Sequence, residues 1–421
     1  MRKLLLLAAG VGIGMVMVAQ GASAGSGQPA QGAGAPPGHA LQGERLFDTE
    51  TFGGNGRTCS TCHSKASGTV SPADALQRFL NNEADPLFLL DGSDDGHGNG
   101  VSRMLRDATI LIQIPLPPTV WLLDSTGGIS QDERVVVVRR GIPTTLNTPA
   151  LDPVLMLDGR NPTLESQARG AILDHAQGRE PLPEELAAIV AYEKTNAFFS
   201  SPVLRRFALQ RGPEPVLPQG RTASEKRGRR FFESVPPPGP DSQNPAEDIK
   251  RGLCGHCHSG PLLNQTNEFA EAFTAPADRV IAAGERFSNI GVSEANAGLN
   301  PVQSFIVTID GRYPDHTPDG TTKTIRVDSP DLGRALISGN FDIDHDGDID
   351  KQDLLFGEIG AFKISALWGI RKTAPYFHDN SAKTLEDVAA HYMAMFLERS
   401  DGFIALTPRD EQDMVAYMKL L

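Results

Sequence analysis

The sequence is poor in cysteine and aromatic residues. Its 421 residues include 4 cysteines and 2 tryptophans, and aromatic residues make up 6% of the chain. The cysteine number leaves room for two disulfide bonds, or for two sites that use cysteines in pairs. The hydrophobic share of 39% is ordinary for a globular protein, and the length allows sizeable cores.

Positive charge is in deficit. The chain has 39 Lys and Arg against 52 Asp and Glu, a formal net charge of −13. An acidic surface argues against nucleic acid and anionic lipid as partners. It is compatible with the docking of a basic protein.

Long apolar runs are missing beyond the N-terminus. Arg2 and Lys3 precede an apolar run over 4–18, and Ala22-Ser23-Ala24 forms a small-residue cleavage site. This pattern predicts a signal peptide over 1–24 that is cleaved after Ala24, followed by a flexible leader over 25–40. No cysteine stands at the cleavage site, which argues against a lipoprotein. We therefore expect an exported protein without a membrane span.

All four cysteines lie in two C-x-x-C-H motifs. Cys59, Cys62 and His63 form the first, and the second consists of Cys254, Cys257 and His258. This is the pattern that attaches c-type haem. The two thiols bond to the two vinyl groups of the macrocycle, and the histidine ligates the iron. We predict two covalently bound haem c groups and, because such haem is attached outside the bacterial cytoplasmic membrane, a periplasmic location.

The two motifs stand in repeated contexts. Gly43-Glu44-Arg45-Leu46-Phe47 precedes the first, and Gly228-Arg229-Arg230-Phe231-Phe232 precedes the second. Helical patterns follow over 184–198 and 409–421. The sequence therefore predicts an all-α fold with two cytochrome c-like haem domains, over 41–210 and 221–421, with long loops and insertions. The apolar, proline-containing segment 110–123 is expected to be irregular and to cover the first haem or a partner-docking edge.

Further motifs give the chain a family resemblance. They are Asn147-Thr148-Pro149-Ala150-Leu151, Asp158-Gly159-Arg160, Leu164-Glu165-Ser166-Gln167, Phe287-Ser288-Asn289-Ile290-Gly291-Val292, Phe362-Lys363-Ile364-Ser365-Ala366-Leu367, Thr373-Ala374-Pro375-Tyr376-Phe377-His378-Asp379 and Thr384-Leu385-Glu386. With the paired haem motifs, they resemble the bacterial di-haem cytochrome c peroxidase superfamily. That superfamily includes the protein-modifying enzyme MauG.

The resemblance implies a division of labour between the haems. The haem on His63 would bind and cleave hydrogen peroxide, and the haem on His258 would pass electrons to it. Gln167 matches a glutamine on the peroxide side. The glutamate that accompanies it in the family falls here on Gln177, which is no acid, so His175 and Asp174 are the candidates to move protons.

The sixth ligand of the second haem separates the subtypes. By spacing from Thr373 the position is Tyr392, as in MauG, whereas electron-donor-dependent peroxidases have methionine. Met393 and Met395 lie close enough that a slip of the alignment would change this assignment. Leu157 stands where the family usually has a tryptophan between the haems.

Two calcium sites are predicted. The resemblance places an inter-domain calcium on the side chain of Asn147 and the carbonyls of Thr373 and Pro375. Separately, residues 342–353 fit an EF-hand-like loop, in which Gly347 allows the sharp turn. Its candidate ligands are Asp342, Asp344, Asp346, Asp348 and Asp353.

Three functions stay open at this stage. The first is a MauG-like oxidoreductase that uses hydrogen peroxide to oxidise a protein or another bulky substrate. The second is a cytochrome c peroxidase that detoxifies peroxide with electrons from a small cytochrome. The third is a non-catalytic di-haem electron carrier, which is disfavoured because only His97 and Met104 lie at a plausible ligand spacing in the first half. The physiological substrate and the oligomeric state stay open.

Overall fold

Helices and short strands alternate along the chain. The computed structural model describes residues 37–130, 132–239, 241–270, 281–295, 300–309, 311, 324–343, 347, 349, 353 and 357–421. The described helices are α1 Pro37–Thr49, α2 Cys59–Cys62, α3 Pro72–Asn81, α4 Ser102–Asp107, α5 Leu164–Gly170, α6 Pro183–Thr195, α7 Pro202–Ala208, α8 Ala223–Arg229, α9 Pro245–Asp248, α10 Val292–Ala295, α11 Ala335–Ser338, α12 Leu385–Arg399 and α13 Pro408–Met418. The described strands are β1 Thr109–Pro115, β2 Val120–Leu122, β3 Val135–Gly141, β4 Phe287–Ser288, β5 Gln303–Thr308, β6 Thr324–Ser329 and β7 Phe362–Lys363.

The prediction of an all-α fold is wrong. Within the described residues the strands form three small antiparallel sheets, β1-β3, β2-β5-β6 and β4-β7. Segment 110–123, expected to be irregular, supplies most of β1 and all of β2. Valine-rich β3 alternates buried and exposed side chains, and this period of two suits a half-buried strand. The fold is therefore a mixture of helices and sheets.

Two helix pairs repeat the same crossing. Helix α1 packs on α6, and α8 packs on α13. Gly43 lies against the backbone of Ala188, and Gly228 lies against the backbone of Asp413, so each pair approaches closely at a glycine. The aromatic residue four positions later then meets a tyrosine of the partner helix: Phe47 lies 5.6 Å from Tyr192 between ring centroids, and Phe232 lies 5.3 Å from Tyr417.

Side-chain caps fix where several of these helices begin. Thr163, Thr384 and Thr407 each accept a hydrogen bond from a backbone N–H in the first turn of α5, α12 and α13. Such caps satisfy amide groups that have no partner within the helix. Gln167 and Tyr392 thereby receive defined positions on α5 and α12.

A shared core joins the two halves of the sequence. Strand β2 pairs with β5, with Trp121 opposite Ile306. The largest core cluster combines Val136 and Val138 with Phe305 and Leu336. Residues 37–421 form one compact unit. The division into haem domains at 210–221 stays a prediction.

The predicted export signal lies outside the described residues. Residues 1–36 cover the signal peptide and most of the expected leader, whereas residues 37–40 form the first turn of α1. No helix in the described part of the chain is both long and apolar enough to cross a bilayer.

Candidate haem sites

The first C-x-x-C-H motif forms a helical turn that prepares a histidine ligand. Cys59 to Cys62 form α2, and the N–H of His63 donates to the carbonyl of Cys59 over 3.0 Å. The imidazole Nδ1 lies 2.8 Å from the carbonyl oxygen of Gly68. A donor bond of this kind fixes the tautomer and leaves Nε2 free for a metal. Burial lowers the pKa of His63, so the ring is neutral, as a ligand must be.

The second motif repeats this geometry. The N–H of His258 donates to the carbonyl of Cys254 over 2.9 Å, and its Nδ1 lies 2.8 Å from the carbonyl oxygen of Leu263. In both sites the accepting carbonyl lies five residues after the histidine. Burial again lowers the pKa of the imidazole. None of the four cysteines is in a disulfide. These residues fit covalently attached haem.

A large cavity opens above the first motif. It encloses about 1230 Å³ of empty space, including its mouth. Cys59, Cys62 and His63 line it, together with Gln167 and His175 from the following helical segment. The structure therefore brings the first haem motif and two of the three predicted peroxide-side residues to one cavity.

The residues of α5 and of the turn after it that line this cavity lie on one face of the helix. The lining positions are Leu164, Gln167, Ala168, Ala171, Ile172 and His175, which follow helical spacing. A π-helical turn over Ala171–His175 continues α5 and carries His175. Asp174 falls on the other face, where it is exposed and does not line the cavity. Gln177 is exposed as well.

His175 is held by a half-buried hydrogen bond to a carboxylate that the sequence did not reveal. Its Nδ1 lies 2.6 Å from Oδ2 of Asp91, while the other carboxylate oxygen of Asp91 accepts a hydrogen bond from Arg57. Burial alone would raise the pKa of Asp91, but the hydrogen bond with His175 and the charge of Arg57 lower it overall. Asp91 is therefore ionised and accepts only, so Nδ1 of His175 carries the proton.

Arg57 ties this network to the haem motif. It is 3% exposed and stands two residues before Cys59. Its guanidinium also donates to the carbonyls of Pro86, Leu87, Leu89 and His175. An arginine buried with all these acceptors holds the loop that carries Asp91 against the cavity. The proximity of Arg57 to Cys59 in the sequence was the only available signal.

Tyr392 lies at the second haem motif. Its ring belongs to the apolar cluster that also includes Cys254, Trp368 and Phe377. Burial raises the pKa of its hydroxyl, and the charges of Cys257 and Cys254 raise it further. The hydroxyl donates to no acceptor among the described residues. A half-buried phenol without a hydrogen-bond partner among these residues is available to ligate the iron of a bound haem.

Met393 and Met395 accompany Tyr392 on the same helix. Met393 belongs to the apolar cluster around the second motif, and Met395 is not part of it. The choice among Tyr392, Met393 and Met395 as the sixth ligand stays a prediction.

Asn147 lies where the two halves of the chain meet. Its Nδ2 donates to the carbonyl of Trp368 over 2.6 Å, and its Oδ1 accepts from the N–H of Ser201 over 3.2 Å. Thr373 and Pro375 follow closely after Trp368, and neither of their carbonyl oxygens accepts a hydrogen bond from the described residues. Oxygen atoms of this kind suit calcium. The inter-domain calcium site stays a prediction.

The EF-hand-like loop is described only in part. Asp342 and Asp353 are buried, and Oδ1 of Asp353 accepts from the N–H of Ile343 over 2.8 Å. Asp344, Asp346 and Asp348 lie outside the described residues. Within the residues that are described, no group of three or more His, Cys, Asp or Glu side chains is placed to hold a metal ion.

Three other positions singled out from the sequence, Leu157, Met104 and His97, do not line the first cavity. The backbone carbonyl of Leu157 accepts from the N–H of Lys363 over 2.7 Å. Met104 is fully buried in the shared core, and His97 is exposed, so neither lines the cavity. The cavity does contain Met156 and His175.

Solved structures that match this chain in fold include the following three. A MauG-like protein associated with microbial copper homeostasis is 19% identical, with a TM-score of 0.42 over 91% of this chain and 88% of that one. The diheme peroxidase BthA from Burkholderia thailandensis is 15% identical, with a TM-score of 0.41 over 91% and 86%. Hydrazine synthase from Kuenenia stuttgartiensis is 14% identical, with a TM-score of 0.34 over 97% and 100%.

At the level of sequence, no protein-family model and no curated protein matches the chain. The solved structures that it matches include a MauG-like protein and a diheme peroxidase.

Proposed function

We propose that this chain is a periplasmic di-haem c-type oxidoreductase that reduces hydrogen peroxide at the first haem and oxidises a protein or another bulky substrate, as MauG-like enzymes do. One observation carries the proposal: His175, oriented by an ionised Asp91, lines the same cavity as Cys59, Cys62 and His63. A haem ligand and a positioned proton carrier in one cavity are what peroxide cleavage requires.

The proton chemistry falls to His175. Haem iron, when bound, supplies the binding position for peroxide and the exchange of electrons. Nδ1 of His175 is bonded to Asp91, and Nε2 has no partner among the described residues. Nε2 is therefore the atom available to move a proton. It would accept a proton from one peroxide oxygen and deliver it to the other, which leaves as water. Two electrons and two protons convert hydrogen peroxide to two water molecules, and the substrate supplies both electrons.

Gln167 and the cavity walls assist. The Gln167 side chain has no hydrogen-bond partner among the described residues, so its amide is available to orient peroxide. Leu155, Leu164, Ala168 and Ile172 supply apolar wall that excludes water and strengthens each polar contact.

In this proposal the second haem passes electrons from the substrate to the haem in the first cavity. In this proposal Tyr392 is the sixth ligand beside His258, and the phenolate stabilises the oxidised iron. A calcium ion on Asn147, Thr373 and Pro375 would fix the two haem regions relative to each other. The EF-hand-like loop would bind a second, structural calcium.

Two alternatives remain. A cytochrome c peroxidase would use the same cavity but draw electrons from a small cytochrome, with methionine as the ligand at the second haem. A di-haem electron carrier would need a side chain on the open face of the first haem. Met156 and His175 are the cavity residues able to supply one.

Spectroscopy of the purified, fully oxidised protein tests the proposal. We expect a high-spin electron paramagnetic resonance signal from the first haem, because His175 is bonded to Asp91 and leaves the iron accessible. Peroxide should change the optical spectra of both haems without prior reduction. In Tyr392→Phe the response of the second haem should be lost, whereas Met393→Leu should respond normally.

Each alternative predicts a different result. A low-spin first haem that becomes high-spin in His175→Ala or in Met156→Leu would identify an electron carrier. An oxidised protein that ignores peroxide until a donor reduces one haem would identify a cytochrome c peroxidase.

A further inference from the structure

Glu193 places a buried acid on the wall of the first cavity. It lies in the last turn of α6, four residues after Ile189, and both side chains line the cavity. Glu193 is 4% exposed. It shares the cavity wall with Phe47, Ala168 and Ile189, which belong to one apolar cluster that has Cys59 at its edge. Position 193 therefore has the environment of a core leucine but carries a carboxyl group.

The carboxyl group of Glu193 has no hydrogen-bond partner or ion pair among the described residues. Its Oε2 atom is buried and accepts no hydrogen bond from the described residues. A buried polar atom without a partner costs roughly 1–3 kcal/mol. Glu193 therefore lowers the stability of the fold unless a group bound in the cavity interacts with its carboxyl group.

The nearby charges are few. Lys194 follows Glu193 on α6 and Glu165 lies on α5, and both are exposed at the protein surface. Cys59 of the haem motif lines the same cavity, and burial together with the charge of Glu193 raises the pKa of its thiol to about 12. Asp48 at the end of α1 acts on Cys59 as well. No cation is bonded to the Glu193 carboxylate among the described residues, so a negative charge there is poorly compensated.

We propose that Glu193 is a proton-accepting residue of the first haem cavity, which takes up a proton when the haem on Cys59, Cys62 and His63 gains an electron. The geometry supports this assignment: an unpartnered carboxyl group faces the cavity in an apolar wall, where its charge interacts strongly with any change of charge in the cavity. The proposal rests on haem attachment at the first motif, and it does not depend on the peroxide reaction.

The proposed step couples the uptake of one electron to the uptake of one proton. A one-electron donor reduces the ferric iron to ferrous, and one proton from solvent converts the Glu193 carboxylate to the carboxylic acid. Burial raises the pKa of Glu193 to about 8, so the acid is largely protonated at neutral pH. As pH rises through this region, the carboxylate forms and stabilises the ferric state. The reduction potential of the first haem therefore falls with rising pH.

Potentiometric titration between pH 6 and pH 10 tests the proposal on the intact di-haem protein. We expect the potential of the first haem to fall with pH in the wild type and to lose that dependence in Glu193→Gln, which keeps the shape and cannot ionise. Glu165→Gln is the matched control, because Glu165 is the exposed neighbour on α5, and it should behave as the wild type. The second haem is an internal reference that should be unchanged in both variants.

Infrared difference spectroscopy gives a second readout without any variant. Reduction above pH 8 should produce the carbonyl stretch of a new carboxylic acid, and this band should be missing in Glu193→Gln. A first-haem potential with the same pH dependence in wild type and Glu193→Gln would overturn the proposal. So would the absence of the carboxylic acid band from the wild type. Either result would leave peroxide reduction at the first haem untouched.

Discussion

At the residue scale, the orientation of one imidazole depends on one carboxylate. Asp91 holds Nδ1 of His175 at 2.6 Å and is itself held by Arg57, which is almost fully buried. The pair resembles other sites in which a carboxylate selects the tautomer of a catalytic histidine. Asp91 would then act as a positioning residue, since both of its carboxylate oxygens are engaged, one by His175 and one by Arg57.

Asp91→Asn should slow the reaction with peroxide on the order of 10- to 100-fold, a part of the ~10²–10⁴-fold that a positioned acid–base group contributes. The amide loses the charge that holds the Nδ1–H tautomer. Stopped-flow absorbance after mixing with peroxide measures the rate. Asp91→Glu retains the charge and should recover part of it.

Asp174→Asn is the matched control for this experiment. Asp174 precedes His175 but is exposed and lies off the cavity face of the segment. Its rate should equal that of the wild type. A large effect at Asp174 and none at Asp91 would mean that the orientation inferred for His175 is wrong.

At the element scale, each haem motif depends on a close helix crossing. A β-carbon added to Gly43 of α1 would lie 2.0 Å from the carbonyl oxygen of Ala188 on α6. At Gly228 of α8, it would lie 1.9 Å from the carbonyl oxygen of Asp413 on α13. Both distances are far inside van der Waals contact, so these crossings require glycine.

Gly43→Ala should therefore destabilise the protein by roughly 1–3 kcal/mol or more, the usual cost of overpacking. The α1 and α6 helices would have to separate, and the aromatic contact of Phe47 with Tyr192 would weaken. Chemical denaturation followed by circular dichroism measures the loss. Gly38→Ala on the same helix is the control, because a β-carbon there meets nothing within 4 Å. It should leave stability unchanged or raise it by about 0.5–1 kcal/mol. Equal effects at both positions would contradict the crossing described above.

At the scale of the whole molecule, a buried arginine joins the two halves. Arg140 of β3 is 2% exposed; its Nε lies 2.7 Å from Oδ2 of Asp331, and its Nη1 donates to Asp158. Its guanidinium also lies 5.3 Å from the ring centroid of Phe362, which stacks on His378 at 3.6 Å. Burial opposes the charge on Asp158, but Arg140 and Arg160 lower the pKa of its carboxyl below the usual range.

Arg140→Met should cost about 3–5 kcal/mol of unfolding free energy at pH 7, because two carboxylates lose their buried partner. The pH dependence follows from the lowered pKa of Asp158. In the wild type its ionised form contributes stability above about pH 4, the unfolded value, and this contribution is lost as pH falls through the folded pKa. In the variant, Asp158 and Asp331 lack Arg140, and burying each carboxyl group costs less free energy when it is protonated. The destabilisation should therefore be smaller at pH 4 than at pH 7.

Denaturation at both pH values checks this prediction. Arg326→Met is the control, because its pair with Asp328 is exposed on both sides and should be worth under about 1 kcal/mol. A destabilisation of Arg140→Met that does not change with pH would show that packing, and not charge, dominates at this position.

The sequence by itself determined the features that are local in the chain. A C-x-x-C-H motif fixes its own geometry, because the helical turn and the histidine-to-carbonyl bond both close within ten residues. The repeat of Gly43 and Gly228 at the same distance before an aromatic residue was visible in the sequence, whereas the crossings that they make with α6 and α13 were not. The threonine caps are likewise local signals. Gln167 and His175 could be predicted only through the family resemblance, although the helical spacing of α5 explains why both reach the cavity.

Only the tertiary structure decided the features that join distant segments. Asp91 and His175 are 84 residues apart, and Arg140 and Asp331 are 191 apart, so no spacing rule connects them. The strands escaped prediction because β1 and β2 lie in a proline-containing apolar run whose pairing partners, β3 and β5, stand elsewhere in the chain. Glu193 reads as an ordinary surface acid in the sequence. It becomes a buried cavity residue because α5 packs on α6, and the free energy of a charge depends on the medium that tertiary packing builds around it.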